Sequence, residues 1–293
     1  MCAVARPLYG KEGELLFDGK IGVLPFIEHV PSARRSKNRE ACTIVTKAVD
    51  SITKQVTKDC IINQIIPAIK SKRPANASKN IFIQQDNARP HISDLDPDFK
   101  AAVSSDGFNI HIVFQPPNSP DLNINDLGFF RSLQTLQNNE VASTVDELVG
   151  NVLTAFIDHD HMKLNFNYLI LQSVMVEIIK SRGHNDFKIP HMNKESLLRR
   201  GILPTNLSVD VALVRDCLDF LDEKRGGKCI ELPKRGNSTF TSSPTRDEVV
   251  VTDEVTNADE VTNADEMVVI GALANVGEVA VTNADIPWDV YAT

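Results

Sequence analysis

Apolar positions along most of this chain fall into short runs of two different periods. Ala3-Val4-Ala5 and the run from Ile21 to Ile27 are continuous and bounded by turn formers: Arg6-Pro7, Gly10, Gly13 and Phe17-Asp18-Gly19-Lys20. They predict two short strands joined by a turn. The spacing then lengthens. Val56, Cys60, Ile61, Ile65, Ile66 and Ile69 share one face of a helix, and Pro74 lies beyond its end. Ile81-Phe82-Ile83 predicts a buried strand running into Gln84-Gln85-Asp86-Asn87, and Ile110 to Phe114 a second running into Gln115-Pro116-Pro117-Asn118-Ser119-Pro120-Asp121. The prolines force a loop there. Phe129, Phe130, Leu133 and Leu136 lie on one face of a helix opening around residues 124–126, and further helices are predicted over 144–158, 165–182 and 208–223. This order gives an α/β sheet with flanking helices.

The pattern changes near Ile230. Residues 236–247 are rich in Ser and Thr, and Val255-Thr256-Asn257-Ala258-Asp259-Glu260 repeats directly as residues 261–266. A six-residue period without aromatic residues is a low-complexity duplication rather than a solenoid. Residues 247–293 hold 11 acidic groups and no Lys or Arg, so a disordered acidic tail is expected over 231–293. The competing expectation is β pairing by Val249 to Val251 or Val268 to Ile270. Residues 1–140 then form the sheet-bearing part and 141–230 a helical part. The whole chain carries a net charge of -8, but the residues before 247 hold 31 basic against 28 acidic groups. A mildly basic body is compatible with nucleic acid. The five cysteines include no close pair, which points to reduced thiols rather than a disulfide framework or a zinc site. The N-terminus lacks the basic-then-apolar pattern of a signal peptide, and no apolar run reaches the roughly 18–20 residues of a membrane span.

Asp86 ends a predicted strand and Asp126 opens a predicted helix, with 39 residues between them. Metal-dependent phosphoryl transfer uses hard carboxylate oxygens around Mg²⁺ or Mn²⁺, held rigidly by sheet elements. Spacing alone also fits a turn Asp followed by a helix-capping Asp. The surrounding residues add more. Gln84-Gln85-Asp86-Asn87-Ala88-Arg89-Pro90-His91, Gln115 to Asn123 and Asp126-Leu127-Gly128-Phe129-Phe130 closely resemble the plant-type branch of the mariner transposases. That branch is marked by a 39-residue gap between its second and third catalytic aspartates, matched here at Asp86 and Asp126. The resemblance extends to Ala3-Val4-Ala5-Arg6-Pro7, Gly19-Lys20-Ile21-Gly22 and Ile189-Pro190-His191-Met192-Asn193-Lys194, and covers roughly residues 2–223.

The resemblance implies a ribonuclease H-like mixed sheet, cut-and-paste DNA transposition and a nuclear location. It implies Asp86 and Asp126 as catalytic residues and ligands to Mg²⁺ or Mn²⁺, facing one cleft. The family's first aspartate lies in a segment like His-Ile-Asp-Glu-Lys-Trp-Phe, which this chain does not contain. It belongs to the central strand, so that strand is expected to be lacking, with the two-metal site incomplete and an upstream DNA-reading region absent. An inactive, transposase-derived protein is then the expectation. The alternative is a non-enzymatic remnant that binds nucleic acid or transposase subunits, including copies of itself. Arg34, Arg35, Lys37 and Arg39 form a basic loop suited to nonspecific DNA phosphate contacts, or simply to solvent. Asp18 and Asp121 read as turn residues. His91 is open between orienting a carboxylate and packing in its loop. His159 and His161 flank Asp160, where a surface turn is expected rather than a metal site.

Overall fold

A computed structural model describes residues 1–35, 39–137, 141–224 and 266–271. Six strands come first: β1 (Cys2–Ala5), β2 (Leu8–Tyr9), β3 (Leu15–Phe17), β4 (Lys20–Val23), β5 (Ile27–Pro31) and β6 (Ile44–Ala48). Helices α1 (Lys54–Cys60) and α2 (Ile66–Lys72) follow, joined by a wide π-type turn over Ile61–Ile65. Next come β7 (Asn80–Gln85), α3 (Pro97–Val103) and β8 (Asn109–Phe114). The chain then turns through α4 (Phe130–Gln137), α5 (Val145–Asp158), α6 (His161–Lys180), α7 (Lys194–Arg199) and α8 (Val211–Lys224), and a last strand, β9, spans Glu266–Gly271.

Local chemistry sets these boundaries. Thr53 caps α1 by accepting from the Val56 N–H, and Asp96 caps α3 through the Asp98 and Phe99 N–H groups, with Pro97 at the first helical position. Thr144 caps α5 by accepting from Glu147 N–H, while the Glu147 carboxylate accepts from the Ser143 N–H just before the cap at 2.6 Å. The wide turn between α1 and α2 falls just ahead of Pro67, which has no N–H to give the preceding turn. The apolar run from Ile21 to Ile27 is two strands rather than one. Pro25 sits between β4 and β5, and β5 pairs with β6 in a separate hairpin. A further small hairpin, β2 with β3, is inserted between the first two expected strands.

The main sheet is mixed, in the order β4-β1-β9-β7-β8. β7 and β8 are parallel over six residue pairs, from Asn80 opposite Asn109 to Gln85 opposite Phe114. β1 is antiparallel to β4. Between β1 and β7 lies β9, antiparallel to β1 (Cys2 opposite Gly271, Ala5 opposite Val268) and parallel to β7 (Ile81 opposite Glu266, Gln84 opposite Val269). The expected vacancy at the sheet's centre is therefore filled, and by a segment of the acidic tail. Val268, Val269 and Ile270 are essentially fully buried, which corrects the expectation that the tail stays undocked for these residues. The remainder of the tail lies outside the described residues.

Two apolar clusters sandwich the sheet. Ile61, Ile65, Ile66, Ile69 and Phe99 pack on one face against Ile81, Ile83, Val268 and Ile270. Ile124, Phe129, Leu133, Phe156, Leu164 and Leu171 pack on the other against Cys2, Val4 and Val269. β9 is thus a strand buried on both faces, which accounts for its continuous apolar composition.

The structure divides into two compact units. Of the described residues, one comprises Met1–Met175, Ile189–Leu207 and 266–271 and holds the sheet. The other comprises Val176–Lys188 and 208–224, where the Arg182 guanidinium lies 5.1 Å from the centre of the Phe220 ring. No described helix is long and apolar enough to cross a membrane.

Candidate carboxylate site

β7 and β8 end side by side, and the bonds that join their ends also build the site. The Gln115 N–H donates to the Gln85 carbonyl at 2.9 Å, and the Asn87 side-chain amide donates to the Gln115 carbonyl at 2.9 Å. Asp86 comes directly after β7. Its Oδ1 accepts from the Ala88 N–H at 2.9 Å, a turn that Asp favours, and lies 2.7 Å from His91 Nε2. His91 is nearly buried while Asp86 keeps about half its side chain in solvent. His91 is thus both packed in its loop and in contact with the Asp86 carboxylate. His91 Nδ1 is buried without a protein partner.

Asp126 arrives from the other side of the loop. The expected helix starts here as a wide π-type turn over Asn125–Phe129, and Asp126 is in its first turn. Asn123 anchors that start by accepting from the Asn125 N–H through its side chain and from the Leu127 N–H through its carbonyl. Gln84 fastens the loop to β7, its amide donating to the Leu122 carbonyl at 2.8 Å. Asp126 keeps exposed surface, yet its carboxyl is held above its ordinary pKa, first by desolvation and then by the negative charge of Asp86. The two aspartates therefore share one electrostatic neighbourhood, as two carboxylates around a common cleft do. Asp121 sits beside them in the short turn Pro120–Leu122.

β9 runs alongside β7. Ile81 and Ile83 face the first apolar cluster, so alternation turns Gln84 and Asp86 to the opposite face. Val269 and Gly271 point to that same face. Val269 packs in the second cluster, and a Cβ added at Gly271 would lie 2.9 Å from Asn125 Nδ2 and 3.1 Å from Phe130 Cζ. Continuing the β7–β9 register two residues past Gln84 opposite Val269 sets Gly271 level with Asp86. The only carboxylate residue within β9, Glu266, is level with Ile81, about 16 Å further back along the strand at the usual rise per residue. Gly271, level with Asp86, brings no side chain to this end of the sheet.

Two aspartates supply hard oxygen donors of the kind that hold one Mg²⁺ or Mn²⁺ together with water. They do not fit a closely spaced metal pair, which needs a carboxylate reaching both ions. Among the described residues, no group of three or more His, Cys, Asp or Glu is placed to hold a metal ion.

The basic loop is the connection between β5 and β6. Arg34, Arg35 and Arg39 are exposed there, Arg35 is paired with Glu40 at 3.1 Å, and Lys37 lies outside the described residues. The motif His159-Asp160-His161 is not a surface turn throughout, contrary to expectation. His159 is buried, 2.9 Å from the Ser132 hydroxyl and 4.8 Å between ring centres from Phe129, while His161 meets the Tyr9 hydroxyl at 3.0 Å. Asp160 caps α6 through the Met162 N–H. Asp18 is a turn residue, accepting from Lys20 N–H. Gly271, Asn125 and His91 are the site neighbours that sequence reasoning passed over or left open. Only His91 had a signal, its place five residues after Asp86 within one motif. Comparison with protein-family models, curated proteins and solved structures finds no match to this chain.

Proposed function

We propose that the chain is a mariner-like, transposase-derived protein whose ribonuclease H-like sheet retains two carboxylates of a DDE/D site and does not cut DNA in this form. The observation that carries the reading is the pairing of Asp86, at the tip of β7, with Asp126, in the first turn of the helix that crosses beside it. It lies inside the motifs that resemble the family, and the carboxylates are coupled by charge. Further support comes from the mixed sheet, with β9 at its centre running parallel to β7 and antiparallel to β1. The family resemblance expects the first aspartate on that central strand.

In this reading Asp86 and Asp126 hold a single Mg²⁺ or Mn²⁺, and His91 fixes the orientation of Asp86. A divalent ion in such a site supplies charge to a phosphate oxygen and lowers the pKa of a bound water. Gly271 offers no oxygen to a second ion. Contact with DNA is then weak and nonspecific, through phosphate charge at Arg34 and Arg39, and the place of action is the nucleus.

The test is Mn²⁺ binding followed by electron paramagnetic resonance. The native chain is expected to bind at about millimolar affinity, the range of loosely built oxygen sites. Gly271→Asp combined with Asn125→Ala and Phe130→Leu, which remove the Asn125 amide and the Phe130 ring edge that a Cβ would meet, is expected to tighten binding at least tenfold, and Asp86→Ala is expected to abolish the gain. Equal affinity in all three proteins, each shown to be folded, overturns the assignment.

A further inference from the structure

We propose that Asp94 and Lys72 are edge guards: each closes one free edge of the main sheet, and together they keep a strand of another copy from extending it.

The sheet ends at β8 on one side and at β4 on the other. An end strand presents a row of backbone groups with no neighbour in the sheet, a ready template for another strand. On β8 the direction of those groups follows from its bonds to β7. The Asn109 N–H donates to the Lys79 carbonyl and the Gln115 N–H to the Gln85 carbonyl, both at 2.9 Å. Asn109, His111, Val113 and Gln115 therefore turn their backbone groups to β7, while Ile110, Ile112 and Phe114 turn theirs outward. Ile112 is the middle of these three. Its N–H donates to Asp94 Oδ1 at 3.1 Å.

Asp94 comes from outside the sheet, in the loop between β7 and α3. Its second oxygen lies 3.3 Å from His111 Nδ1, and the His111 ring stacks on Phe82 with 5.6 Å between ring centres. One carboxylate thus spans two successive residues of the edge and is held by both. A strand adding to β8 would have to bring a carbonyl to the Ile112 N–H. It would find that donor taken and a negative charge facing its own acceptor.

The other edge is closed by the opposite charge on the opposite kind of group. Lys72, the last residue of α2, donates through Nζ to the Lys20 carbonyl at 2.9 Å and to the Ile21 carbonyl at 2.8 Å. Both carbonyls lie at the irregular step in the pairing of β4 with β1. An ammonium has donors and no acceptor, so it covers these oxygens and repels nothing but an incoming N–H. Charged side chains on an edge are a recurrent means of preventing strand addition. The edge of β8 is the more inviting of the two, because Phe114 turns its backbone outward and is 45% exposed.

The test is molar mass by light scattering over a wide range of concentration, for the native chain, Asp94→Ala, Lys72→Ala and the double variant. With one edge open, two copies join edge to edge into a closed pair, so each single variant is expected to reach twice the native mass. With both edges open the association has no closing step, and the double variant is expected to keep growing. Added to Asp94→Ala, Phe114→Lys is expected to restore the native mass, because a lysine on the edge opposes pairing but does not mend a misfolded chain. Asp94→Ala at the native mass at every concentration overturns the proposal, and so does association that Phe114→Lys leaves unchanged. Lys72→Ala at the native mass, or a double variant no larger than Asp94→Ala, overturns the part assigned to Lys72. Amide exchange at Ile112 is a second readout. It is expected to be faster in dilute Asp94→Ala than in the native chain, and an unchanged rate overturns the role of Asp94. The outcome is independent of the transposase reading, since neither measurement involves metal or DNA.

Discussion

Asp126 is where charge and burial meet at the residue scale. Folding raises its pKa, so the native state holds the proton more tightly than the unfolded chain does. The resulting stabilisation is fully present below the ordinary carboxylate range and is lost as pH rises through the raised value. At neutral pH, without divalent ions, the ionised side chain therefore works against folding. Asp126→Asn should melt higher than the native chain at pH 7, and the difference should shrink towards pH 4. An equal or lower melting temperature at pH 7 would contradict the coupling with Asp86. His159 titrates with the opposite consequence. Burial is the largest cause lowering its pKa, from 6.5 to about 4, with the charges of Lys20 and Lys163 adding to it. The native state holds the neutral ring, so stability is complete above pH 6.5 and declines as pH falls towards 4. The loss should be on the order of 2–3 kcal/mol in urea unfolding. His159→Gln should flatten that decline while costing some packing against Phe129. A pH profile identical to the native one would show that another group governs acid lability.

β9 is the element on which the sheet depends. Val269 is fully buried in the cluster with Phe129 and Leu133. Val269→Ala should cost about 1–3 kcal/mol, and Gly271→Ala a similar amount because its Cβ would meet Asn125 and Phe130. Urea unfolding of the sheet, followed by circular dichroism, measures both. Changes below about 0.5 kcal/mol, the range of ordinary surface substitutions, would remove β9 from the core. This element also marks how far the sequence could be read. β1, β7, β8 and the helices after residue 144 were legible because their periodicity and caps are local. The start of the helix at Asp126 was legible too, though its wide first turn was not. β9 was hidden for a physical reason. Met267 to Ile270 has the continuous apolar run of a strand buried on both faces, but it sits among acidic hexads that favour disorder. Its pairing partners, β1 and β7, are distant in sequence, and Gly271 has meaning only against Asn125 and Phe130. Asp86 and Asp126 stood out through their motifs. The third corner did not, because a glycine carries no chemical signature.

In the whole molecule β9 completes the sheet, while the DDE/D site proposed above lacks one of its three carboxylates. The central position is occupied by β9, and Gly271, level with Asp86, brings no oxygen. Two divalent ions would bring four positive charges into one cleft, more than two carboxylates offset. The reading proposed above then leaves binding of one ion and weak DNA contact through the exposed Arg34 and Arg39. Affinity for DNA should then fall steeply with salt and show no dependence on sequence, since phosphate contacts alone carry no sequence information. Competition of labelled duplexes between 50 and 200 mM salt measures this, and a strong preference for one duplex at the higher salt would contradict it. The most direct measurement is nicking of supercoiled plasmid by the purified chain with Mn²⁺, beside an Asp86→Ala control. No conversion to open circles above the control is expected. Nicking by the native chain that Asp86→Ala abolishes would contradict it, by showing that Asp86 and Asp126 cut DNA with a glycine at the third corner.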